Sequence, residues 1–309
     1  MTEVRSPRGV WCATLTPQDE RGAIDTLRLA AHVKRLFAAG IDGIALFGTT
    51  GEGQSFALRE RRDGLEALIA AGVDPRRVLA GTGCAALPET IELTRHAVAC
   101  GCAGALVLPP FFFKGVSDDG VCASYSRIVE GVGDDRLRLY LYHIPQVTGV
   151  PVSIDVIGRL AAAFPSAVAG IKDSSCDLDH EQALLRRFPN LDIFVGFEPH
   201  LPAAVAAGGA GTICGIANLY PRALRRLFDA TDEAARRAEL DRIGRLVALL
   251  DGYPLMPAFK AIQASIAADD GWLAVREPLV ALDEGARRSL LAGLAGTGLD
   301  PARDGARPD

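Results

Sequence analysis

Lysine is the scarce charge in this chain. Lys34, Lys114, Lys172 and Lys260 are its four lysines in 309 residues, against 29 arginines. Scarcity alone proves nothing, but it reduces the candidate amine nucleophiles to four. An excess of positive charge is also missing. The net charge is −5 and no basic patch stands out, so nucleic acid is not an expected partner. No apolar run approaches the length of a membrane span, and the opening MTEVRSPRGVW lacks the apolar core of a signal peptide. Paired cysteines are lacking too. The seven are odd in number and scattered, and Cys100-Gly101-Cys102 has neither C-x-x-C spacing nor a second ligand pair. They read as buried small hydrophobes in a soluble, cytoplasmic protein kept reduced. The five histidines (His32, His96, His143, His180, His200) contain no H-E-x-x-H and no close pairing, so no metal is expected. P-loop and nucleophile-elbow patterns are absent as well, and no cofactor is expected.

What is present is a regular alternation. With 49% hydrophobic and 23% charged residues, the chain has a globular balance and enough length for a large core. Eight short apolar runs read as strands: 9–16, 43–48, 77–83, 104–109, 137–144, 167–173, 192–197 and 211–215. Amphipathic helical patterns separate them, as at 26–40, where Leu29, Val33, Leu36 and Phe37 share one face. The runs are continuously apolar, which suits strands covered on both sides. Strand–helix alternation implies parallel pairing, and eight units in about 220 residues imply a (β/α)8 barrel. The alternative, an open doubly wound sheet, has fewer strands, and no G-x-G-x-x-G follows the first run. After Tyr220 the pattern is helical. The expected division is a barrel over 1–220, a helical region over 221–296 with a helix at 231–252 capped by Thr231, and a frayed polar tail over 297–309.

In a parallel barrel the chemistry sits at the carboxyl ends of the strands. The second run ends in Gly48-Thr49-Thr50-Gly51-Glu52-Gly53. Such a loop is either a plain turn or a carboxylate- or phosphate-binding loop with free N–H and hydroxyl donors. Glu52 in it is an acid–base candidate, a helix cap or an arginine partner. The fifth run ends in Tyr142-His143, where the tyrosine is either core packing or a phenol that passes protons. The sixth ends in Lys172. Either this amine pairs with Asp173 or another carboxylate, or its apolar surroundings favour the neutral form, a nucleophile that makes a Schiff base with a ketone. Lys34 and Lys260 fall in expected helices, and Lys114 lies several residues past its strand. Position selects Lys172.

These three strand ends, in this order, resemble the dihydrodipicolinate synthase / N-acetylneuraminate lyase family. The resemblance is carried by GTTGE (48–52), YHIPQVTG (142–149) and GIKDSS (170–175), and it extends to GGAGTICGIANLYP (208–221) and the opening TLTPQDERGAID. It implies a (β/α)8 barrel with a C-terminal helical region, assembled as a homotetramer. It also implies a pyruvate-dependent class I lyase or aldolase that joins or cleaves a carbon–carbon bond. Lys172 is then the Schiff-base lysine, Tyr142 the proton relay, and Thr49 the hydroxyl bonded to that tyrosine. Gly48 and Thr50 belong to the carboxylate loop, and Ile213 supplies a backbone carbonyl beside the pyruvate. The chain departs from the synthases twice. Val147 stands where they carry a carboxylate-binding arginine, and Phe112 takes the place of a relay tyrosine. GIKDSS also differs from the sialic-acid lyases, which usually lack this acidic residue. The expected acceptor is therefore an aldehyde met by a less cationic pocket. The candidate substrates are 2-oxo-3-deoxy sugar acids, 4-hydroxy-2-oxo acids and aromatic aldols. Lysine-biosynthetic synthase activity is the alternative, and a non-enzymatic 2-oxo-acid sensor is the second.

Overall fold

Eight parallel strands follow one another in chain order round a closed barrel: β1 Gly9–Ala13, β2 Gly43–Leu46, β3 Val78–Gly81, β4 Gly104–Val107, β5 Leu139–His143, β6 Val168–Asp173, β7 Asp192–Val195 and β8 Gly211–Cys214. Each lies inside one of the eight apolar runs, so the barrel expected from the sequence is the barrel found. These observations come from a computed structural model, which describes residues 7–306. The strands are almost wholly buried, which is why their sequences run apolar instead of alternating. Helices separate them, and several begin on acidic or hydroxyl caps. Asp25, Ser117, Ser153 and Asp177 each accept a backbone N–H of the first helical turn.

The chain divides into two compact units. One contains Gly9 and Asp74–Ile213. Its central ladder pairs Tyr142 with Lys172 and His143 with Asp173 across β5 and β6, then Lys172 with Phe194 across β6 and β7. Successive residues of a strand point to opposite faces. Tyr140, Tyr142 and Lys172 therefore share one face, while His143 and Asp173 share the other. Two glycines make the first face possible. A Cβ at Gly104 or Gly170 would come within 2.9 or 2.8 Å of the Tyr140 ring. The space they leave lets the Tyr140 hydroxyl reach Asp192 Oδ2 at 2.9 Å.

The other unit contains Val10–Val73 and the chain from Cys214 onward. Its buried joint is Asn218. The side-chain carbonyl accepts the Leu15 N–H and the His32 Nε2–H, each at 3.0 Å, and the amide donates to Ala13 O and Gly215 O, each at 2.8 Å. The helix Pro221–Asp229 opens the C-terminal region, which the sequence reads as helical from 221; it is short and charge-rich, and buries only Pro221, Ala223, Leu224 and Leu227. Two details differ from the sequence expectation. The following helix, Glu233–Leu250, is capped by Asp232, whose carboxylate takes the Ala235 N–H, and not by Thr231. The polar stretch 297–306 is docked and not frayed. Asp304, with a fully buried side chain, meets Arg226, Arg242 and Arg303. Residues 307–309 lie outside the described residues.

Candidate active site

Lys172 sits at the carboxyl end of β6, only 5% exposed. Its Nζ donates to the Tyr142 hydroxyl at 3.1 Å and stands 4.4 Å from the centre of that ring. The parallel register explains the meeting, since the two residues are Cα partners on adjacent strands. The ion pair that the sequence left open does not form. Among the described residues Lys172 has no carboxylate partner, because Asp173 faces the other way and is engaged there. The remaining lysines are occupied differently. Lys34 is exposed on its helix. Lys114 Nζ is bound to the carbonyls of Phe111 and Thr148, the latter at 2.6 Å. Lys260 is buried against Glu52.

Behind the strand end lies a partly buried titratable network that sequence reading missed. Asp173 accepts His180 Nδ1 at 2.7 Å and the Ser175 N–H at 2.8 Å. Burial raises its pKa, but those two bonds outweigh it and leave the carboxyl below its ordinary range. The bond to Asp173 in turn raises His180, against the effect of burial. The His143 ring stacks on His180 at 4.7 Å, and its Nδ1 accepts the Val152 N–H at 3.0 Å. Burial lowers the His143 pKa. One position further on, Glu181 Oε2 lies 2.9 Å from His200 Nδ1. Burial, with help from the charges of Asp173 and Asp177, pushes Glu181 up to about 8. The ligand atoms of His143, Asp173 and His180 lie within 4.8 Å of one another, a spacing that could suit a metal. The Val152 bond argues against it: an Nδ1 that accepts keeps the neutral ring's proton on Nε2, so neither nitrogen of His143 is open to a metal while that bond stands. Only the strand end of this network carried a sequence signal. The partners lie on helices whose rotation no local pattern fixes.

In the second unit, the loop after β2 is closed by Glu52 N to Thr49 O and Gly53 N to Gly48 O, each 3.0 Å. Gly48, Thr49 and Thr50 are half-buried. Glu52 stands at the N-cap position of the turn Gly53–Ser55, but its side chain makes no capping bond there and its carboxylate pairs with Lys260 and not with an arginine side chain. In the first unit Ile213 is wholly buried in β8. Phe112 (70% exposed) stands on the loop after β4 and Val147 (55% exposed) on the one-turn helix Pro145–Thr148 after β5, and Lys114 ties those two segments together. A concavity of about 500 Å3 opens at the opposite end of β5–β7, between Arg138, Ser166, Arg187 and Asn190. That end of a parallel barrel carries stability more than chemistry. The cysteine reading needs one correction. Cys12, Cys122 and Cys214 are buried, Cys84, Cys100 and Cys102 are partly so, but Cys176 is exposed.

A parallel eight-stranded barrel with a buried lysine and a tyrosine hydroxyl at neighbouring strand ends defines the class of protein. Comparison with known proteins narrows it. Residues 6–295 match the model of the dihydrodipicolinate synthetase family. An uncharacterised DapA-like lyase of Chloroflexus aurantiacus is 38% identical over 257 residues, covering 82% of this chain and 85% of the relative. The 4-hydroxy-tetrahydrodipicolinate synthase of Phenylobacterium zucineum is 32% identical over 300 residues, covering 94% and 98%. The crystal structure of dihydrodipicolinate synthase from Agrobacterium tumefaciens superposes with a TM-score of 0.88 at 35% identity, covering 94% of this chain and 99% of that one. N-acetylneuraminate lyase of Proteus mirabilis gives 0.83 at 25% identity, covering 95% and 99%. The chain belongs to the dihydrodipicolinate synthetase family, and it is an aldolase or lyase. No helix of the described residues is long and apolar enough to cross a membrane.

Proposed function

We propose that this protein is a class I lyase that forms an imine between Lys172 and pyruvate or a related 2-oxo acid, and that its second substrate is an aldehyde without a carboxylate near the reacting carbon. The observation that carries the reading is the 3.1 Å approach of Lys172 Nζ to the Tyr142 hydroxyl. A neutral amine attacks the keto carbon, and the phenol delivers a proton to the departing hydroxyl so that water leaves. The protonated imine draws electrons from the neighbouring methyl group, which loses a proton to give an enamine. That carbon adds to the aldehyde, or in reverse an aldol is cleaved. Water then releases the product from Lys172. By resemblance to the family, Gly48, Thr49 and Thr50 serve the substrate carboxylate and the tyrosine, and Ile213 offers its carbonyl; held carboxylates place the reacting carbon.

The acceptor side supports an aldehyde lacking that carboxylate. Phe112 and Val147 bring no charge, and Lys114, the one cation in 108–116 and 144–150, spends its ammonium on two backbone carbonyls. A homotetramer in a reducing, cytoplasmic setting belongs to the same reading, supported by the family and the scattered cysteines.

Borohydride trapping with pyruvate, followed by peptide mapping, tests the mechanism. A single adduct on Lys172 is expected, absent from a folded Lys172→Arg variant, whose guanidinium stays protonated. An adduct elsewhere, or none, would refute the imine. A panel of aldehydes with pyruvate tests the acceptor. Efficient use of aspartate semialdehyde would refute the reading of Val147 and Phe112 and restore the synthase alternative.

A further inference from the structure

Glu52 and Lys260 are 208 positions apart, and both side chains are fully buried. Glu52 Oε1 meets the Lys260 ammonium as an ion pair. The same ammonium donates to Ala274 O at 2.6 Å. The other carboxylate oxygen accepts the Arg276 N–H at 2.8 Å and Gln18 Nε2 at 3.3 Å. One loop side chain is thus gripped by the helix Leu255–Ala267, by the segment after it and by the stretch following β1. A fourth tie runs nearby, from Thr16 Oγ1 to Gly51 O at 2.8 Å.

The loop so gripped is in an unfavourable conformation. Phe47 and Glu52, at its two ends, have φ of 58° and 54°, left-handed values that non-glycine residues rarely adopt. Between and beside them, glycine is required. A Cβ at Gly51 would lie 2.6 Å from Thr14 O, and one at Gly53 would lie 1.8 Å from Phe47 O. Such strain persists only where surrounding contacts over-determine it. A buried ion pair is a poor device for stability, since apolar residues of like volume commonly serve as well. It is a good device for holding one geometry, because any drift of the loop would leave two charges unpaired in the interior.

We propose that Glu52 and Lys260 are positioning residues that set the shape of the Gly48–Gly51 loop for the carboxylate of the 2-oxo acid. This rests on the function proposed above. Neither residue touches substrate in this reading; both act through Thr49 and Thr50, which lie between the strained ends.

The test uses the full chain and the double variant Glu52→Gln/Lys260→Met, which removes both charges together and leaves none unpaired. Borohydride trapping at Lys172 is titrated with pyruvate and, separately, with acetone, a ketone that carries no carboxylate. The half-saturating pyruvate concentration is expected to rise at least tenfold while acetone trapping stays within twofold. Lys260→Arg, which keeps the ion pair, is expected to recover much of the pyruvate advantage. A folded double variant with unchanged pyruvate half-saturation would overturn the proposal. So would equal losses for pyruvate and acetone, which mark a general structural defect. Should the double variant fail to fold, Glu52→Gln alone, which retains a carbonyl for the Arg276 N–H, carries the same comparison. Absence of any adduct in the unmodified protein would instead refute the imine reading, so the two failures are distinct.

Discussion

The imidazole rings of His143 and His180 stack 4.7 Å apart with an interplanar angle of 23°. Two imidazolium ions at that separation repel, and the environment decides which ring takes the proton. His180 has Asp173 beside it, whereas His143 has a backbone N–H pointing at its acceptor nitrogen. The proton therefore belongs to His180.

A stability profile follows from this cluster. His180 is raised, so its contribution is complete below the unfolded value of about 6.5 and is lost as pH climbs through the folded value. Glu181 is raised to about 8, so the folded state holds an extra proton from its unfolded value up to there. Stability falls with rising pH across that window too. Asp173 works at the acid end, stabilising above its unfolded value and losing that as pH falls through its lowered folded one. His143 and His200, both lowered by burial, add stability as pH rises toward about 6.5. Thermal melts between pH 6.5 and 8.5 should decline, and Glu181→Gln should flatten that decline. Identical slopes would show that Glu181 does not titrate there.

Asn218 joins three buried groups and the half-buried Gly215 carbonyl with one amide. Asn218→Ala would strand the Leu15 N–H and two carbonyls and take the partner from His32, at about 1–3 kcal/mol for each group left unsatisfied. A total loss of at least about 3 kcal/mol is expected by urea unfolding. A loss below about 1 kcal/mol would mean that water or neighbours replace the amide.

Under the proposed mechanism, Tyr142→Phe separates relay from nucleophile. The amine remains, so borohydride should still trap pyruvate on Lys172, but slowly. Exchange of the pyruvate methyl protons in heavy water, followed by NMR, should slow by about 10²- to 10⁴-fold, the usual scale for one proton-transfer group. Exchange at the normal rate would remove Tyr142 from the mechanism.

Val147→Arg tests the acceptor side of the proposed function. The position is more than half exposed, so the fold should tolerate the change. A guanidinium there can pair with a carboxylate. The kcat/KM ratio for a carboxylated aldehyde over an uncharged one should rise about tenfold, or about 1.4 kcal/mol. No change in the ratio would place acceptor selection elsewhere.

How much of this was legible in the sequence depends on the range of the interaction. The strands were legible because doubly covered β-structure writes itself as an unbroken apolar run, and Lys172 was legible because it ends such a run. The face of Asp173 followed from alternation, yet its partner did not. His180 lies seven residues on, along a helix whose angle about its axis depends on packing. Glu52 and Lys260 are 208 positions apart and left no local mark. The stretch around Asp304 was misread for a related reason. Its polar composition matches a solvated tail, and the arginines that make burial tolerable include Arg226 and Arg242 from two other helices.

Lys114 binds the loop after β4 to the segment after β5 through backbone carbonyls, leaving Phe112, Phe113 and Val147 pointing outward. Backbone anchoring is indifferent to the identity of neighbouring side chains. Mutations at those three positions can therefore accumulate without disturbing Lys172 or Tyr142, whose places are dictated by strand register. The two sets of positions are separable by construction: the sheet places the lysine and the tyrosine, while the three exposed side chains can be rewritten one at a time by laboratory selection.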